Sequence, residues 1–228
     1  MQLTLSALHF ALVRGMLDKG YAPSFDDLVS EFQASPDEVR PALEALQAYH
    51  GVVLHPNRTD VWVVHPFSTA PTPFTVRRQN QLWWGNCAWC SLGIAALLGG
   101  DGIRIDTTLG GEGLPISVYI DEGKVRQQDL WVHFPIPMAR AWDNVMYTCS
   151  TMLIFDSRQA IDSWSQRHNI PRGDVQPIQH IYDFAAVWYG RHADRDWRKW
   201  TANEAREIFT RFGLRGHIWD LPASAERF

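Results

Sequence analysis

The stretch "LWWGNCAWCSLGIAALLGGD" limits what this chain can fold into more than any other. From Cys90 onward it reads as a short buried helix closed by Gly99 and Gly100, with no charged face. A helix of that kind has to be enclosed by other elements. It falls well short of the roughly 18 apolar residues of a membrane span. A chain of 228 residues is long enough to wrap it in a real core, as one large domain or two modest ones. Eleven tryptophans supply large apolar bodies for that core. The same stretch holds Cys87 and Cys90, two of the three cysteines.

Residues 1–67 read as a winged-helix-like three-helix unit. Leu5, Leu8, His9, Leu12 and Met16 recur at helical spacing, and Gly20 can end that helix. Ser24 with Asp27, and Ser35 with Glu38, are capping-box signatures for a second and a third helix, the third with Pro36 at its first position. "GVVLHPN" and "DVWVVHP" then read as two short strands around a turn. The pattern invites a DNA-binding reading, which the charge opposes. Residues 1–66 hold four Lys/Arg against eight Asp/Glu. The helix that would enter the major groove opens with Asp37 and Glu38. Phosphate neutralisation supplies much of the affinity in such complexes, so nucleic acid is not an expected partner.

Residues 68–78, "STAPTPFTVRR", read as a Pro-rich linker. Residues 79–228 read as an α+β domain with a mainly antiparallel sheet. Strands are expected at Ile103–Thr108, Ile116–Ile120 and Lys124–Gln127 around Gly-rich turns, in "LWVHFPI", and at Thr151–Phe155. Helices are expected after Ser157, over "QHIYDFAAVWYGRH", and after Thr201 with its Glu204 capping box. The N-terminus lacks a signal-peptide pattern. An odd cysteine count does not make a disulfide framework. The expected location is therefore the reducing cytoplasm, with no membrane partner.

The thiols admit several readings. Cys-x-x-Cys at a helix start can act in redox exchange, but the βαβ context of a thioredoxin-like site is missing. Structural zinc needs four ligands. Cys149 with His133 or His217 would complete a set, yet no second closely spaced ligand pair exists. Buried cysteines also serve as small hydrophobes. His133 alternates with apolar neighbours as a strand residue. His50, His55 and His65 surround the expected wing and are expected at the surface.

"LWWGNCAWCSLGIAALLG", "LPISVYI", "WVHFPIP" and "AWDNVMYTCSTMLIFDS", in that order after "HPFSTAPTPFTV", resemble the alkylmercury (organomercurial) lyase family. In that family two thiolates and a carboxylate do the chemistry. The resemblance puts the thiolates at Cys90 and Cys149 and the carboxylate one helical turn after Cys90, where this chain has Gly93. It implies binding of an organomercurial or soft metal, thiolate being the best protein ligand for Hg(II). It also implies cleavage of the carbon–mercury bond by protonolysis, with no resident cofactor and with small thiols or a downstream acceptor receiving the metal.

The glycine leaves the proton donor open. Cys87, one turn before Cys90, is a candidate proton carrier or third thiol. Asp143 is a second candidate acid, set against the turn role common for Asp beside Asn. Asp101 is a weaker one, and Ser91 faces away. Trp84, Trp89 and Gly93 are expected in the pocket wall. Two other outcomes remain: a soft-metal binding protein for Hg(II) or Cu(I) without turnover, and a nucleophilic Cys90 acting on another organic substrate.

Overall fold

In the computed structural model, which describes residues 2–222, three helices lead into an eight-stranded sheet. The helices α1 (Leu5–Lys19), α2 (Phe25–Phe32) and α3 (Pro36–Ala48) begin at Thr4, Ser24 and Ser35. Both capping boxes form, because each N-cap serine and the acid three residues on, in the first turn, satisfy one another's exposed groups. α1 ends at Gly20 in the left-handed region, φ 82°, which glycine adopts without a steric cost. Leu8, Leu12, Leu28, Val39, Leu43 and Leu46 are fully buried, so the apolar stripes of the three helices form one core.

The strands β1 (Val53–Leu54) and β2 (Val61–Val64) pair antiparallel, as a wing would. This hairpin is also the start of the main sheet. β2 pairs with β3 (Phe67–Ser68), and β3 pairs with β5 (Gln81–Gly85). β4 (Thr75–Arg78) forms a hairpin with β5 and also pairs with β6 (Ile103–Thr108). β7 (Pro115–Asp121) and β8 (Lys124–Val125) complete the sheet. The order is β1-β2-β3-β5-β4-β6-β7-β8, and every pairing is antiparallel. Stretch 68–78 therefore holds Ser68 and Thr75–Arg78 as strand residues. Its prolines, Pro71 and Pro73, lie between strands, where no ladder N–H is needed.

α4 (Ala88–Leu97) carries the apolar run and packs on β3, β4 and β5. A second sheet of order β10-β9-β11 follows, built from β9 (Trp131–Phe134), β10 (Ile154–Phe155) and β11 (Asp174–Pro177). Between β9 and β10 lies the short helix α5 (Val145–Ser150), started by Asn144, whose side chain accepts from Tyr147 N at 3.0 Å. The strand expected at Thr151–Phe155 is confined to Ile154–Phe155, because Thr151 is the C-cap of α5, and Cys149 sits on a helix. β11 had no counterpart among the expected strands; four residues ending in proline carry little alternation. α6 (Arg158–His168), α7 (Ile178–Tyr189) and α8 (Ala202–Arg211) complete the described chain. α7 packs closely against α4. Among the described residues, no helix is long and apolar enough to cross a membrane.

One buried hydrogen bond ties the N-terminal helices to the main sheet. Trp83 on β5 donates its indole N–H to the Met16 carbonyl of α1 at 2.6 Å. Trp83→Phe removes that donor and part of the ring volume, and should destabilise the protein by about 2 kcal/mol. A urea denaturation series comparing the midpoints checks this, with an unchanged slope expected.

Candidate thiol and histidine site

Cys87 does not stand on α4 but caps it. Its backbone is extended (φ −161°) and its sulfur accepts the Cys90 N–H at 3.3 Å. Cys87 therefore approaches Cys90 from the helix end and not from one flank of a helical face, and its sulfur still engages the thiols of Cys90 and Cys149. It also lies against the Met152 sulfur at 3.8 Å. The start of α4 is held in place by the Ala88 N–H, which donates to the Met152 carbonyl just beyond α5 at 3.0 Å. That bond brings α4 and α5 together, and with them Cys90 and Cys149.

The donor atoms of Cys90, Cys149 and His65 all lie within 4.8 Å of one another, and all three residues are buried. His65, directly after β2, turns inward and sets its Nδ1 3.7 Å from the Cys90 sulfur. Its expected place at the surface is thus corrected: β2 is an inner strand of the sheet, and its end points at α4. His65 is a site residue that sequence reasoning missed; "VVHP" offered only the signal of a strand end before proline. Tyr189, the last residue of α7, is the second one missed. Its hydroxyl lies 3.4 Å from the Cys90 sulfur.

These residues line a narrow cleft of about 50 Å³. Trp89 stacks on Phe184 at 5.0 Å and forms one wall. Trp142 lies at the cleft too, stacked on His50 at 4.4 Å, with the Lys199 ammonium 4.6 Å over its ring. His50, expected at the surface, is half-buried there, while His55 stacks on Trp62 at 5.2 Å. Trp84 is not part of the wall. It lies on β5, where successive side chains face opposite ways, and it is the neighbouring Trp83 that is buried. Gly93 lies beneath Tyr189: a Cβ there would come 2.2 Å from the Tyr189 ring.

The other expected acids are elsewhere. Asp143 is exposed and pairs with Arg140 at 3.0 Å. Asp101 is exposed and accepts from the Glu122 N–H at 3.3 Å. Among the described residues no carboxylate lines the cleft. Ser91 donates to the Cys87 carbonyl at 2.8 Å. His133 is buried between Phe155 and Trp164, and His217 is exposed; neither reaches the thiols.

The electrostatics separate the three sulfurs. Burial pushes the Cys90 thiol up, but hydrogen bonds with Cys149, Cys87 and His65 outweigh it and hold Cys90 well below the usual cysteine value. Cys149 is pushed well up by its hydrogen bonds to Cys87 and Cys90 and by burial. Cys87 is pushed well up, chiefly by burial. The shifts favour the thiolate on Cys90 and the neutral thiol on Cys87 and Cys149. His192, held at about 3 by burial and by the nearby Lys199 and His65, is neutral at ordinary pH.

The thiolate on Cys90 should vanish as pH falls through its lowered pKa and persist above it. Thiolate absorbance followed from acid to neutral pH should show one thiol ionising below the ordinary cysteine range near 8.5, and that step should be absent in Cys90→Ser.

The alkylmercury lyase (MerB) family model matches residues 67–190, more than half of the 228 residues. Cys87, Cys90, Gly93, Cys149 and Tyr189 lie inside the matched span, and His65 lies just before it. Among solved structures, the mercury-bound form of MerB2 superposes with a TM-score of 0.64 at 16% identity, over 82% of this chain and 90% of that one. At that identity the likeness concerns the fold. No curated protein matches the chain.

Proposed function

The chain belongs to the alkylmercury lyase family, and on that premise we propose that Cys90 and Cys149 bind an organomercurial between them and cleave its carbon–mercury bond by protonolysis. The observation that carries this reading is the spacing of the donor atoms. Two sulfurs bridged by one ion stand about two bond lengths apart, each ~2.3 Å for zinc and longer for mercury. The Cys90 and Cys149 sulfurs fall within 4.8 Å. A soft thiolate pair suits a soft metal, and the apolar cleft suits an alkyl or aryl group.

The chemistry follows from the charge state. The Cys90 thiolate attacks the mercury of R–Hg–X and displaces X⁻. Cys149 brings the second sulfur. Carbon then takes a proton together with the electron pair of the Hg–C bond and leaves as R–H. Mercury stays as Hg(II) on two thiolates, so the proton gained by carbon is balanced by the one that Cys149 loses. His65 offers a third donor that can hold the ion while external thiols remove it. Cys87 acts on the site through its hydrogen bonds, as the cap of α4 and a donor to the Cys90 sulfur.

A second reading is stoichiometric capture of Hg(II) or Cu(I) without turnover. The nitrogen donor of His65 beside two sulfurs favours it. The two readings part on one assay. Phenylmercury with excess small thiol should yield benzene and Hg(II), and Cys90→Ser and Cys149→Ser should each reduce release to background. Tight one-to-one uptake with no benzene would support capture instead. His65→Ala should weaken Hg(II) retention against a competing thiol by about 10–100-fold, read by equilibrium competition.

A further inference from the structure

We propose that Tyr189 supplies the proton that cleaves the carbon–mercury bond, and that glycine at position 93 exists to admit it. This rests on the protonolysis reading above. Tyr189 is buried at the end of α7. Its hydroxyl is 3.4 Å from the Cys90 sulfur, so it touches the atom that would carry the mercury. Gly93 stands one turn after Cys90 on α4. A Cβ there would lie 2.2 and 2.8 Å from two Tyr189 ring carbons. Any side chain at position 93 and the Tyr189 ring therefore exclude each other. The space one turn beyond the nucleophile is occupied by a phenol that comes from another helix.

The other groups around the cleft are less suited to the task. No carboxylate lines it among the described residues. The Thr148 hydroxyl is engaged with the Ala141 carbonyl at 3.1 Å. His65 faces Cys90 through a nitrogen at 3.7 Å, which suits a metal donor. Tyrosine has an O–H to give, and a phenolate can take a proton back.

The Tyr189 hydroxyl lies beside the sulfur that would hold the mercury, within reach of a carbon bound to that metal. The O–H proton then passes to carbon as the Hg–C electron pair moves to carbon. The phenolate recovers a proton from the Cys149 thiol, and the resulting thiolate closes on Hg(II). Tyrosine is regenerated, and the net proton comes from Cys149.

The test uses the full chain, phenylmercury and excess small thiol, with two readouts: mercury uptake by thiolate-to-metal absorbance, and benzene release in a single turnover. Tyr189→Phe should keep one-to-one uptake and slow benzene release by about 100-fold or more. The double variant Gly93→Asp/Tyr189→Ala places a carboxyl in the vacated space. It should release benzene faster than Tyr189→Ala alone, with the alkaline limb of its pH profile moved to lower pH. Release by Tyr189→Phe at the wild-type rate would overturn the assignment. So would loss of uptake in that variant, which marks a packing role, or abolition of release by His65→Gln with Tyr189→Phe unaffected. If the wild type takes up phenylmercury but never yields benzene, the protonolysis reading itself fails and this proposal falls with it.

Discussion

The contact on which the site depends is the packing of α4 against α7. α4 carries no charged residue, and most of its residues are buried, so it is stable only where other elements enclose it. The main sheet covers it through β3, β4 and β5, and α7 covers it further. The two helices approach closely because position 93 has no side chain. That closeness is what delivers a residue of α7, Tyr189, to a thiol at the start of α4. Enclosing an apolar helix and assembling a chemical site are here one packing event.

Around that contact the site is built from chain segments distant in sequence, each fixed by ordinary backbone needs. The end of β2 brings His65 because β2 is an inner strand of the sheet. The Ala88 N–H needs a partner at the front of α4 and finds the Met152 carbonyl, which draws Cys149 alongside. Cys87 satisfies one of the exposed N–H groups of the α4 start. The result is three mutually hydrogen-bonded thiols with the charge concentrated on Cys90. Low dielectric makes such hydrogen bonds strong, so a thiolate survives in a site where burial alone would protonate it.

Much of the fold was legible in the sequence where a local rule suffices. The capping boxes at Ser24, Ser35 and Thr201 formed as their spacing implies, because capping is settled within four residues. The strands at Ile103–Thr108 and around Ile116–Ile120 followed from alternation and turns. The sequence was less readable where pairing partners decide. Prolines made 68–78 read as a tether, although β3 and β4 flank them in the sheet. Gly85 and polar neighbours hid β5, and with it the opposed directions of Trp83 and Trp84. The expectation of Asp143 as an acid met an exposed ion pair with Arg140 instead.

The sequence by itself determined that an apolar, cysteine-bearing helix must lie in the interior, that three capped helices precede the sheet, and which family the chain resembles. These follow from composition, period and motif, which are local or pattern properties. Only the tertiary structure decided that His65 faces inward, that Cys87 caps rather than lines, and that Tyr189 fills the space over Gly93. A missing side chain specifies room, and nothing in the chain's order says what will occupy it. That depends on how closely two helices separated by eighty residues can pack, which is a property of the assembled core.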